Sequence, residues 1–385
     1  MGHLVRSLAL ATALAKRFQV VFLNGGPLPR GMTVPDTIEM VSLPPLGMAA
    51  DNSLISRDRR RTVARTQTLR TLMIANLFQT LRPQVVFIEL FPFGRKKFAF
   101  ELIPLLDAVR LAPTPPLVLC SLRDILVGQR RDQQAHDERA SVLTNRYFDA
   151  VLVHADPQFS RLEDSFHPRT PLAVPVYYTG FVVPERAALP ARDHARARQI
   201  LVSAGGGMVG ASLLGNAIGA HALLWPPYGM PMKLIAGPFL PEETWQSLRT
   251  IVRQQRGVTL RRVVPDLCAE MRASAVSVSQ CGYNTALDII RAEVPALVVP
   301  FSEGQEDEQI QRARRLEQLG VLRVFDPQML TPALLAEAIR PLLDFHPRPV
   351  TLDLNGTDHT ADLVMRLSQP YVCSQATPIA QEVTL

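Results

Sequence analysis

Val276-Ser-Val-Ser-Gln-Cys-Gly-Tyr-Asn-Thr-Ala-Leu-Asp-Ile-Ile-Arg-Ala-Glu-Val-Pro-Ala-Leu-Val-Val-Pro300 decides the fold of this 385-residue chain. An apolar run of strand length ends at Ser279, Gly282 supplies a turn, and Asn284 or Thr285 can cap a helix running to Ala292. Ala296 to Val299 is a second apolar strand and stops at a proline. Two short buried strands joined through one helix make a βαβ unit, which calls for a parallel sheet covered by helices. Asp288 sits early in that helix, where a carboxylate either accepts two hydrogen bonds from a vicinal diol such as a ribose or simply complements the helix dipole.

The same alternation extends in both directions. Upstream, a strand at Ile200 to Ser203 leads into Ser203-Ala-Gly-Gly-Gly-Met-Val-Gly210 and a helix to about Leu224. The glycines Gly205, Gly206 and Gly207 either let a ligand approach the backbone beside a helix N-terminus or form a tight turn without a ligand; their spacing matches neither GxGxxG nor a Walker loop. Downstream, Pro300-Phe-Ser-Glu-Gly-Gln-Glu-Asp-Glu-Gln309 puts a second polar cluster at the adjacent strand end, and a long polar helix is expected from Gln305 to Leu319. In the first half, strands are expected at Val20 to Leu23, Val85 to Ile88, Leu117 to Cys120 and Ala150 to His154, with helices at 57–81, 97–111 and 133–147. The pattern lapses in the Ala/Arg/Pro-rich stretch after Pro184. The expected division is therefore an amino-terminal domain over 1–182, a linker over 183–198, a second domain over 199–345, and a helix and tail over 346–385. Two doubly wound halves place a ligand in the crevice at the carboxyl ends of their strands.

Composition narrows the class. With 47% hydrophobic and 20% charged residues the chain is globular, and its 41 basic against 35 acidic residues form no aromatic-basic platform, so a nucleic-acid partner is not expected. Cys120, Cys268, Cys281 and Cys373 lie far apart and have no metal-ligand spacing, so neither a metal centre nor a disulfide framework is expected and a reducing cytoplasm is the default. No apolar run approaches the ~18 residues of a membrane span. Arg6 followed by Ser7-Leu-Ala-Leu-Ala-Thr-Ala-Leu-Ala15 imitates a signal peptide, but Leu4, Leu8, Ala11 and Ala15 share one helical face and Lys16 and Arg17 close the last turn, which reads as a helix feeding a strand.

The run from Val264-Pro-Asp-Leu through Cys281-Gly-Tyr-Asn-Thr-Ala-Leu-Asp288, Val294-Pro-Ala-Leu-Val-Val-Pro-Phe301 and Glu308-Gln309 to Arg312-Ala313 and Leu319-Gly320 resembles the C-terminal domain of family 28 (MurG-like) glycosyltransferases. The resemblance implies a GT-B fold, two Rossmann-like domains facing a cleft, with a nucleotide-sugar on the second domain. It implies ribose binding by Asp288, reading of donor sugar hydroxyls by Glu308 with Gln309, and contact of Gly205 to Gly207 with the diphosphate. Val264, Gly282, Asn284 and Thr285 fall on the same donor-side motifs. Asp288 is one methylene shorter than the family's usual Glu, and Glu308 and Arg312 stand where Gln and Asn are common.

Gly2-His3-Leu-Val-Arg6 is similar to the start of the first helix in the same superfamily, and the match extends to nucleotide-sugar hydrolases. A His at a helix N-terminus has its charged form disfavoured by the dipole, so His3 is expected to be neutral and able to take a proton. These folds begin with a strand and a glycine loop ahead of Gly-His, whereas Met1 directly precedes Gly2; the first sheet is therefore expected to lack its central strand. Glu89, Arg95, Arg123 and Asp124 follow strands and are placed on the acceptor side with Gly2 and Arg6; Arg123 and Asp124 can equally form a local surface pair. These stretches, with Tyr178-Thr-Gly-Phe-Val182, resemble a group of uncharacterised glycosyltransferases. His3 is the first choice for general base, with Glu89 and Asp124 behind it.

The implied activity is a metal-independent, cofactor-free inverting transfer of a hexose or N-acetylhexosamine from a UDP-sugar to an acceptor hydroxyl, the acceptor being lipid-linked or a glycan. Hydrolysis at the same site and non-catalytic nucleotide-sugar binding are the alternatives. The implied location is the cytoplasm, with peripheral contact at the inner membrane face through Arg59, Arg60, Arg61, Lys96 and Lys97, which otherwise read as solvated faces.

Overall fold

A computed structural model describes residues 2–29, 32–49, 53–128, 130–185, 198–301 and 307–373. Most of the expected linker, the 302–306 part of the polar cluster with the expected start of its helix, and the tail beyond residue 373 lie outside the described residues.

The chain opens with α1 (Gly2–Leu14), followed by β1 (Val20–Asn24) and β2 (Ile38–Ser42), which pair in parallel with Val20 opposite Ile38. A short antiparallel hairpin, β3 (Leu46–Met48) and β4 (Leu54–Ser56), comes next. Then α2 (Val63–Leu81), β5 (Val85–Glu89), α3 (Ala99–Arg110), β6 (Leu117–Arg123), α4 (Gln133–Tyr147), β7 (Ala150–His154) and β8 (Val176–Tyr178) build a four-stranded parallel sheet in the order β5-β6-β7-β8. Among the described residues the amino-terminal half forms two separate parallel sheets, β1-β2 and β5-β6-β7-β8, rather than one doubly wound sheet. Burial follows: β6 and β7 are sealed along nearly their whole length, whereas most of β1 and β5 is only half-buried. α1 packs as a core helix, with Leu8 and Ala11 against Ile38 and with Ala9 and Leu10 against Val182.

The second half alternates regularly: β9 (Ile200–Ser203), α5 (Ala211–Tyr228), β10 (Met232–Ile235), α6 (Glu242–Arg253), β11 (Val258–Arg261), α7 (Leu267–Arg272), β12 (Val276–Ser279), α8 (Tyr283–Ala292), β13 (Ala296–Val298), α9 (Glu308–Gln318), β14 (Arg323–Val324) and α10 (Pro332–Ile339). Its six strands are parallel in the order β11-β10-β9-β12-β13-β14. Chain order therefore reverses between β9 and β12, where Ser203 lies beside Ser279, and a ligand crevice forms outside the carboxyl ends of strands at such a reversal. The last helix, α11 (Gly356–Cys373), returns to the first half, where Leu363 and Val364 pack on Leu117 and Leu119. The two crossing segments run side by side, Phe181 N donating to Asp353 O (2.7 Å) and Gly356 N to Phe181 O (3.0 Å).

Candidate active site

Three helix N-termini meet where the halves face each other. α5 begins after the glycine loop, in which Gly205 and Gly207 hold φ of 56° and 89°. A β-carbon at Gly207 would stand 2.5 Å from Ala236 O, so the loop can lie flat on the β10 end only as glycine. A β-carbon at Gly205 would instead point at Thr285 Oγ1 (3.9 Å), and one at Gly282 would meet nothing within 4 Å, so the crevice between the two strand ends is open at backbone level. α8 starts at Tyr283 after Gly282, which provides no side-chain cap, so its first-turn N–H groups remain for an anion. Across the crevice, Asn284 Nδ2 donates to Gly2 O at the start of α1 (3.4 Å).

His3, one residue into α1, bonds through Nδ1 to Glu89 Oε1 at 2.7 Å. Glu89 ends β5 and also pairs with Arg6 Nη2 and, at 3.6 Å, with Arg95. Burial by itself would raise the Glu89 carboxyl; the hydrogen bond to His3 and the charges of His3, Arg6 and Arg95 outweigh it and bring it down to about 2. His3 goes down as well: burial, helped by Arg123 and Arg6, outweighs the upward pull of Glu89. The sequence expectation of a neutral His3 rested on the helix dipole, and desolvation is the chief cause here. A neutral imidazole whose Nδ1–H is accepted by an ionised Glu89 leaves the Nε2 lone pair free to take a proton, and a third of the side chain stays exposed for that purpose. Glu89 is thereby held ionised against His3, Arg6 and Arg95. Arg6 is not an acceptor contact either: its side chain is 1% exposed, bound to Glu89 and stacked 5.2 Å over the Tyr283 ring. Arg95 keeps 39% of its side chain exposed.

Asp124 is corrected outright as a candidate base. Its carboxylate is fully buried and takes a two-pronged contact from Arg312, Nε at 2.6 Å and Nη2 at 2.7 Å, while Arg312 Nη1 donates to Cys281 O at 2.8 Å. Burial alone would raise the carboxyl, but the Arg312 charge and hydrogen bonds hold it below its ordinary range. An ionised acid sealed behind a guanidinium has no route to a substrate hydroxyl. Its neighbour Arg123 does not pair with it locally; it crosses to Glu308 at the start of α9, Nη1 to Oε1 at 2.7 Å. Gln309 uses its carbonyl to accept from Cys281 N (3.1 Å) and Phe301 N (3.2 Å), tying the β12 and β13 ends together. Glu308 and Gln309 therefore stand at the expected place, engaged with protein rather than open. Tyr283 was not singled out in the sequence: its hydroxyl donates to His154 O and accepts from Val182 N, both at 2.9 Å, so it bolts the second half onto the first.

Beside this centre the halves enclose a cleft of about 940 Å³. Val5, Leu8 and Thr12 of α1 form one wall, and Pro238, Val264 and Arg291 the other. Asp288 lies on α8 one turn before Arg291, with its backbone carbonyl accepting from Cys268 Sγ (3.4 Å).

Residues 233–365 match the glycosyltransferase family 28 C-terminal domain. The chain is 25% identical over 154 residues, 34% of its length, to the UDP-N-acetylglucosamine--N-acetylmuramyl-(pentapeptide) pyrophosphoryl-undecaprenol N-acetylglucosamine transferase of Syntrophotalea carbinolica, and spans 43% of that relative. Among solved structures, Acinetobacter baumannii MurG superposes with a TM-score of 0.55 at 17% identity, covering 95% of this chain and 96% of that one. CalG4, the calicheamicin glycosyltransferase, superposes with a TM-score of 0.56 at 17% identity, covering 98% and 92%. The fold is GT-B.

Proposed function

We propose, from the match of residues 233–365 to the glycosyltransferase family 28 C-terminal domain, that the protein transfers a hexose or N-acetylhexosamine from a UDP-sugar to an acceptor hydroxyl, with inversion and without a metal. The observation that carries this reading is the pairing of His3 with Glu89 at 2.7 Å, across the crevice from the glycine loop and the N-terminus of α8. His3 Nε2 takes the acceptor proton as the acceptor oxygen bonds to the anomeric carbon. The bond from that carbon to the diphosphate oxygen breaks in the same step, and the leaving charge is received by the N–H groups of α5 and α8. Attack opposite the leaving group inverts the anomeric centre. Asp288 holds the ribose in this account, and Arg95 borders the acceptor.

The test is product analysis with UDP-hexoses and UDP-N-acetylhexosamines against lipid-linked and glycan acceptors, in the presence of EDTA. UDP together with a glycoside of inverted configuration supports the reading. Free sugar released at the same rate without acceptor would make the protein a hydrolase, and loss of activity in EDTA would refute metal independence.

Among the described residues no helix is long and apolar enough to cross a membrane. Arg59, Arg60, Arg61, Lys96 and Lys97 are all exposed. We place the protein in the cytoplasm, touching the anionic inner face of the membrane through these residues; each basic group near such a surface is worth about 1 kcal/mol. Co-sedimentation with vesicles containing anionic lipid, weakened by 0.5 M salt and absent with neutral vesicles, is expected; equal recovery with both would contradict it.

A further inference from the structure

Arg6 is sealed beside the pair of His3 and Glu89, with its side chain 1% exposed. Among the described residues its one hydrogen bond to an acceptor runs from Nη2 to Glu89 Oε1, while Nε is shielded and has no partner. Nη2 also lies 3.4 Å from His3 Nδ1, but that nitrogen gives its own proton to the same Oε1 and offers Arg6 no acceptor. Arg312, the other guanidinium buried between the halves, is fixed by three bonds, from Nε and Nη2 to Asp124 and from Nη1 to Cys281 O. A guanidinium held through one nitrogen can pivot about that bond. What fixes the plane of Arg6 is the ring of Tyr283, whose centroid lies 5.2 Å from Cζ.

The ring is itself held from three sides. The Tyr283 backbone opens α8, its hydroxyl is bonded to His154 O and Val182 N, and the Phe181 ring lies 5.9 Å away. One side chain thus reaches from the helix whose first-turn amides face the crevice to the cation that shares Glu89 Oε1 with His3. Because that oxygen accepts from both His3 Nδ1 and Arg6, a pivot of Arg6 shifts the atom to which His3 is bonded, and with it the direction of Nε2.

Resting on the assignment of His3 as the base proposed above, we infer that Tyr283 is a positioning residue: its ring holds Arg6, through Arg6 the shared Glu89 oxygen, and so the approach of His3 Nε2 to a sugar bound at the N-terminus of α8. Tyr283 touches no reacting atom. Its ring serves orientation and its hydroxyl serves the docking of the halves.

The test reads His3 itself. In the full chain with isotope-labelled histidine, the His3 signal is identified by its loss in His3→Ala and followed by NMR against pH in the wild type, Tyr283→Phe and Tyr283→Leu. The charged groups facing His3 are Glu89 from β5, Arg6 from its own helix and Arg123 from β6; from α8 the neighbour of α1 is Asn284, which is uncharged. Arg95 pairs with Glu89, and His154 at the end of β7 stays neutral because burial brings it down to about 3. Burial and Arg6 both push His3 down, so freeing Arg6 and admitting water raise its midpoint towards 6.5. That rise is expected in Tyr283→Leu, with kcat for transfer lower by up to about 10²-fold, the scale of a group misplaced by ~1 Å, and with UDP affinity unchanged. Tyr283→Phe is expected to keep the wild-type midpoint and kcat while unfolding at lower denaturant. Pentafluorophenylalanine at position 283 keeps the shape of the ring and reverses the charge of its face, so it should reproduce the rise without opening a cavity, and it decides the matter if Tyr283→Leu does not fold. An unchanged midpoint in the leucine and pentafluoro proteins, or an equal rise in Tyr283→Phe, overturns the inference and leaves Tyr283 a docking contact only. If the wild type itself transfers no sugar, the assignment of His3 as base falls instead.

Discussion

Replacing His3 with alanine is expected to lower kcat for sugar transfer by about 10²- to 10⁴-fold, the range contributed by a positioned general base, while UDP affinity stays within about twofold. In the proposed mechanism the separation arises because His3 Nε2 takes the acceptor proton, while the proposed donor contacts lie on the other half. The pH profile carries the same signature. Burial holds the His3 imidazole below its ordinary value of 6.5, so the base form persists at lower pH than for a free histidine, and the acidic limb of kcat falls at a pH under 6.5. Glu89→Gln removes the groups that pull His3 upward, its hydrogen bond to a carboxylate and its negative neighbour. That limb then moves to still lower pH, and the weaker base is slower. Steady-state kinetics between pH 4.5 and 8 check both statements; a His3→Ala variant of wild-type kcat would remove His3 from the chemistry. The stability sign is consistent: with the folded value depressed, the unfolded chain takes up the proton first, so stability is lost as pH falls through 6.5.

The largest stability effect is expected at the buried pair between the halves. Asp124→Ala leaves Arg312 charged among apolar neighbours, 2% exposed and still close to the Tyr283 ring, and should cost about 3–5 kcal/mol in denaturant unfolding. The double variant Asp124→Leu with Arg312→Met removes both charges and should recover most of the loss, because an ion pair so fully desolvated contributes little beyond what a packed apolar pair does. If Asp124→Ala unfolds at the wild-type denaturant midpoint, the pair is not the clamp described. If the double variant is as unstable as the single one, the loss came from packing rather than from an unpaired charge.

These two residues also mark where the sequence stops being legible. β9, β12 and β13 of the second half could be read because each is a short apolar run closed by Ser or Pro, whereas β11 is not among the expected strands; in the first half the 133–147 helix is observed over the residues expected. β14, with two residues, and β8, with three half-buried ones, carry too little periodicity to be seen. The site itself divides in the same way. Gly205, Gly207, Gly282 and Thr285 could be placed because a turn or helix start fixes them locally. Pairings could not: His3 and Glu89 are 86 residues apart, Asp124 and Arg312 are 188, and Arg123 and Glu308 are 185. Four of the charged residues read as acceptor or donor contacts, Arg6, Asp124, Arg123 and Glu308, instead neutralise a partner elsewhere in the chain. A signal existed in hindsight at Arg312, an arginine on the apolar side of a polar helix, which requires a buried carboxylate.

The central claim is that the crevice at the carboxyl ends of β9 and β12 holds a uridine diphosphate sugar. Calorimetric titration of the protein and of Asp288→Ala with UDP tests it most directly. The account predicts one site per chain in the wild type and an affinity at least tenfold lower in Asp288→Ala, about the 1.4 kcal/mol or more of one charge-assisted contact to the ribose. No heat of binding with millimolar UDP, or the same affinity in both proteins, would contradict it.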